Sequence, residues 1–158
     1  MQRIRFIVLQ VVKKEGSGFK GAREEALYAI KRITCNGDAD VKKGLYDFPG
    51  LIPCLVSVLG KEGDEWKGSK LRAIWAIENI SKSGVKLSKG LYETPGVMEG
   101  LERAKEDRVV DYRANCCGTD AISAITEHKT NAWRLPSEGA SADATSTTTI
   151  NPDDNELS

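Results

Sequence analysis

Apolar and polar positions along this chain follow the helical period of three to four residues, and one largely apolar hexad returns three times. The copies are Glu25-Ala26-Leu27-Tyr28-Ala29-Ile30, Arg72-Ala73-Ile74-Trp75-Ala76-Ile77 and Asp120-Ala121-Ile122-Ser123-Ala124-Ile125. They stand 47 and then 48 residues apart. A second block, Lys43-Gly44-Leu45-Tyr46-Asp47-Phe48-Pro49-Gly50, returns 46 residues later as Lys89-Gly90-Leu91-Tyr92-Glu93-Thr94-Pro95-Gly96. Helical text with a period of about 40 to 50 residues predicts an all-α chain of stacked repeats. In such a stack each unit shelters its apolar side against its neighbours, and the exposed face serves as a gripping surface.

The central unit predicts three helices. A short first helix runs from Ala39 to about Tyr46, with Asp38 or Asp40 as its cap, because a carboxylate accepts the free N–H groups of a first turn. Pro49-Gly50 breaks the chain. The second helix spans Leu51 to Leu59, with Pro53 in its first turn. The third runs from about Glu65 to Ser81, with Leu71, Ile74, Ile77 and Ile80 in helical register and Ala73 and Ala76 leaving room for a close neighbour. The following unit repeats this order as Val85–Tyr92, Val97 to about Ala104, and about Val109 to Glu127, the last weakened by Gly118. The glycines at 44, 50, 90 and 96 read as turn residues of the repeat.

The same period lays Ile4–Val12 over Leu51–Leu59. The apolar start of the chain is therefore expected to be the second helix of a unit that lacks its first. Gly21–Thr34 follows as its third helix, with Ala26, Leu27, Ile30 and Ile33 inward. One repeat domain is expected over 1–135, in units of about 1–36, 37–83 and 84–130, with Trp133 and Leu135 as a cap. Residues 136–158 are rich in Ser, Thr, Ala and Asp, with few apolar groups to offset the entropy of ordering, and are expected to form a disordered acidic tail.

Charge and cysteine content narrow the function. All 23 Lys and Arg lie at or before Arg134, whereas five of the 23 acids lie in the tail, so the body carries +5 and the tail −5. That is far from the dense basic stripe of a nucleic-acid binder, and no nucleic-acid partner is expected. No apolar run reaches the ~20 residues of a membrane span, so no membrane role is expected either. Cys35, Cys54, Cys116 and Cys117 form no C-x-x-C pair and His128 is the single histidine, so no metal or cofactor is expected. They read as small core residues in a reducing, intracellular and most simply cytoplasmic compartment. No phosphate loop or nucleophile–base motif is present, and the chain is expected not to be an enzyme.

These residues resemble the armadillo repeat family over about Met1 to Trp133, most clearly from Asp38 to Ser83. Leu51-Ile52-Pro53-Cys54-Leu55-Val56-Ser57-Val58-Leu59 is similar to the family's second helix, and Leu71-Arg72-Ala73-Ile74-Trp75-Ala76-Ile77-Glu78-Asn79-Ile80-Ser81 to its third. The two-helix HEAT repeat is the near alternative; the separate helix Ala39–Tyr46 favours armadillo. The resemblance implies a right-handed α-superhelix with third helices lining an inner groove, where a Trp and an Asn four residues on grip an extended peptide. Only the central unit carries that pair, as Trp75 and Asn79; Tyr28 and Arg32 precede it, and Ser123 and Glu127 follow. It implies a partner protein or peptide held by Tyr28, Arg32, Trp75, Asn79 and Glu127, with Arg32 suited to a carboxylate and Glu127 to a base. Trp75 as a core residue and Asn79 as a solvated one remain open, as does a structural subunit packed into a larger assembly through its open end helices.

Overall fold

Among the described residues the long apolar-periodic segments are helical, and each covers its stripe against neighbouring helices. The computed structural model describes the backbone of residues 2–106 and 112–131 and the side chains of residues 7–106 and 116–127. Eight α-helices and no strands occur among the described residues: α1 Gln2–Val12, α2 Lys20–Asn36, α3 Ala39–Tyr46, α4 Leu51–Leu59, α5 Lys67–Ser81, α6 Val85–Glu93, α7 Val97–Glu106 and α8 Tyr112–Asn131. None is long and apolar enough to cross a membrane. The expected cap Trp133–Leu135 and the tail 136–158 lie outside the described residues.

The hexads form the middle of the fold. They lie in α2, α5 and α8, and α5 packs against both of the others. Each also packs on the helix before it: α1 on α2, α4 on α5, α7 on α8. Ala73, Ile74, Ala76, Ile77 and Ile80 of α5 are completely buried, as are Ala121 and Ile125 of α8. Alanine at these places lets helix axes approach to ~8–10 Å. The short helices α3 and α6 bridge successive long ones, α3 touching α2 and α5, α6 touching α5 and α8. Asp38 caps α3 by accepting the Val41 N–H at 2.9 Å.

One buried charged group inside this apolar frame joins two units. Arg23 is fully buried. Its guanidinium lies 3.8 Å from the centre of the Trp66 ring and donates to the carbonyls of Lys14 and Gly16, both at 2.9 Å, and of Glu65 at 3.4 Å. It thereby ties the turn after α1 to the turn before α5, with the ring face supplying the charge compensation that buried Arg requires. Lys70, its counterpart one period on, is also buried.

Several expectations are revised. The segment 64–66 is a single 3-10 turn, so α5 starts at Lys67, two residues later than expected. Ile33, expected to point inward, is 46% exposed: periodicity names the face of a helix but not whether a neighbour covers it. Gly50 and Gly96 are turn residues, with φ of 86° and 83° that other residues rarely adopt. Gly44 and Gly90, by contrast, sit inside α3 and α6. Their surroundings differ. A Cβ at Gly90 would overlap the Tyr46 hydroxyl, whereas one at Gly44 would meet nothing.

That difference yields opposite mutational signs. Gly44→Ala should stabilise the chain by about 0.5–1 kcal/mol through helix propensity alone. Gly90→Ala should lose that gain and fall below wild type as the half-buried Tyr46 ring is displaced. Chemical denaturation of both variants checks this; equal shifts would contradict it.

Candidate functional site

On a helix, residues four apart share a face. Tyr28 with Arg32, Trp75 with Asn79 and Ser123 with Glu127 therefore form three pairs on α2, α5 and α8. Tyr28 is 40% exposed, Arg32 and Glu127 are exposed, and Trp75, Asn79 and Ser123 are half-buried. None of the six is sealed in the core.

The structure links Tyr28 and Trp75, though not Arg32 and Asn79, through a residue the sequence reading passed over. The Lys31 ammonium stands 4.1 Å from the centre of the Trp75 ring and 5.6 Å from that of Tyr28. Arg72, on α5, lies 5.9 Å from the Tyr28 ring and is held by Glu24 of α2 at 3.1 Å. Two aromatic rings and two bases thus interleave where α2 meets α5, each cation resting on a ring face. Lys31 stands i+3 from Tyr28 and so shares its helix face.

On its far side Trp75 is anchored to α8, its indole N–H donating to the Cys117 sulfur. The ring thus spans α5 and α8 and is half-buried. The main-chain carbonyl of Asn79 accepts the Ser83 hydroxyl at 2.8 Å. Its side-chain amide makes no hydrogen bond to another described residue. Nothing about spacing pointed to Cys117, since contacts across helices leave no trace in a period.

Towards α8 the sign of the surface changes. Lys82, Asp120, Ser123, Ala124 and Glu127 line a shallow open hollow. Glu78 holds Lys82 at 2.6 Å, and that hydrogen bond keeps the Lys82 ammonium protonated to higher pH than usual, helped by the field of Asp120. The cluster of Tyr28, Lys31, Arg72 and Trp75 is thus cationic and aromatic, whereas the hollow on α8 carries the acids Asp120 and Glu127 beside Lys82. The structure brings Tyr28 and Trp75 into one cluster; it places Glu127 in the separate hollow. Among the described residues no three His, Cys, Asp or Glu side chains converge in a way that could hold a metal ion.

No protein-family model, curated protein or solved structure matches the chain. The site is consequently read from its own chemistry.

The thiols give a direct check on this geometry. Burial pushes the Cys117 thiol above its ordinary range, the indole N–H only partly opposing it, and burial pushes Cys54 up likewise. Thiolate is the reactive form, so a raised pKa moves alkylation to higher pH. Iodoacetamide should modify exposed Cys35 first and Cys54 last. Trp75→Ala, which uncovers Cys117, should speed its labelling several-fold by mass spectrometry, and an unchanged rate would contradict the indole–thiol contact.

Proposed function

We propose that this chain is a non-enzymatic protein–protein interaction module, built as an armadillo-like right-handed superhelix whose inner face is formed by α2, α5 and α8. The observation that carries this reading is the interleaved cluster of Tyr28, Lys31, Arg72 and Trp75, with the amide of Asn79 one turn beyond Trp75. Aromatic rings backed by bases grip side chains and acidic groups, and an amide offers both donor and acceptor to a peptide unit. Three helices side by side span ~20 Å. An extended peptide rises ~3.3 Å per residue, so about six residues fit. The charge gradient favours a ligand with an acidic end over Arg32 and a basic end over Glu127.

A second reading has its own support. The large apolar side chains left exposed among the described residues are Ile7, Phe19, Tyr28, Ile33 and Val41, all in the first 41 positions. Such a patch suits a structural subunit packed against another body at that end.

The first reading is tested with a library of hexapeptides bearing an acid at one end and a base at the other, screened by fluorescence anisotropy. Binders should lose about tenfold in affinity with Trp75→Ala and similarly with Asn79→Ala, a change of ~1.4 kcal/mol each. Failure of every hexapeptide to bind, or binding retained by both folded variants, would overturn the groove assignment.

A further inference from the structure

Taking each long helix with the short helix that follows it, α2–α3 is a first unit that aligns at the repeat period with a second, α5–α6, yet positions sealed in the second are open in the first. Ala76 and Ile80 are completely buried and Leu87 nearly so; their counterparts Ala29, Ile33 and Val41 are all exposed. Gly90 is filled by the Tyr46 ring, but nothing lies within 4 Å of a Cβ at its counterpart Gly44. Gly68 is met by Glu24, and nothing meets Gly21. An apolar slot of about 110 Å³ opens on this side, lined among others by Val8, Leu9, Ile30, Ile33, Val41 and Leu45.

What seals the second unit is visible within the chain. Helices α2 and α3 lean on α5, Glu24 binds Arg72, and Tyr46 enters the notch at Gly90. The open edge of the first unit is the same surface one period earlier, with one change of sign: Glu25 stands where the second unit has Arg72. The complement is therefore defined. It is a helix, a tight turn and a short helix of the α2–α3 build, with an aromatic ring for the notch at Gly44 and a base, in place of Glu24, opposite Glu25. A second copy of this chain meets that description poorly, because the place on α8 equivalent to Glu24 holds Thr119, which is not a base.

We propose that the edge formed by α1, α2 and α3 docks a partner's helical pair of this kind, an aromatic and basic relative of α2–α3. This deepens the subunit reading and is independent of the peptide groove. Docking extends the row of long helices by one, with α2 then covered on both sides as α5 already is.

The probe is a synthetic peptide of residues 17–48 carrying Glu24→Lys, fluorescently labelled and titrated into the full chain. Saturable one-to-one binding is expected. Ile33→Asp in the full chain should weaken it at least about tenfold. Gly44→Ala serves as the variant that cannot fail by unfolding, since it should be more stable than wild type. It should nevertheless bind the probe several-fold less well, because the new methyl narrows the notch. A probe that also carries Tyr46→Phe, lacking the closest atom, should recover most of the loss. Ser57→Ala, on exposed α4 surface, should change nothing. Absence of binding, or binding indifferent to both Ile33→Asp and Gly44→Ala, overturns the proposal. Self-association of the full chain that Ile33→Asp abolishes would overturn it too, because a second copy would then occupy the edge, while leaving the subunit reading standing.

Discussion

Mutual shelter between consecutive long helices is the constraint from which the other features follow. A helix whose apolar stripe is as wide as that of α5 has no stable isolated state; it needs neighbours on more than one side. Helix α5 has them in α2, α4 and α8, with small residues at the closest approach, and Ala73, Ala76, Ile77 and Ile80 lose all contact with solvent. Burial of this kind contributes about 25 cal/mol per Å² of apolar surface, which in a chain of short helices outweighs anything propensity supplies.

The same constraint decides where the chain is polar. Around Tyr28 and Trp75, polar side chains bridge the helices from outside the buried layers. There they meet across helix boundaries: Lys31 reaches from α2 to the Trp75 ring, Arg72 reaches back from α5 to Glu24, and Trp75 reaches on to Cys117. These contacts brace the row of α2, α5 and α8. Arg23, set inside the layers, does the equivalent work for the turns, fixing the entry to α5 against the exit from α1.

Much of this was legible in the residues. The hexads located α2, α5 and α8, and the Pro-Gly pairs located the breaks before α4 and α7. The reading failed where one symbol carries two meanings. Glycine marks turns, so the repeat spacing puts Gly44 and Gly90 in one class with Gly50 and Gly96, although only the latter pair needs positive φ. Ile33 has the spacing of a core residue and lacks only a neighbour, and spacing cannot register a missing neighbour. Lys31 and Cys117 act through partners about 40 residues away, a distance at which local patterns are silent.

Native-state hydrogen exchange of the full chain tests the mutual-shelter account most directly. Amides that open only with the whole fold exchange slowest, and those of an element covered on one side exchange sooner. The amides in the middle of α5 should be the slowest in the chain, those of α2 intermediate and those of α1 and α3 faster. Exchange of α5 as fast as that of α1, or protection uniform from α1 to α5, would contradict it.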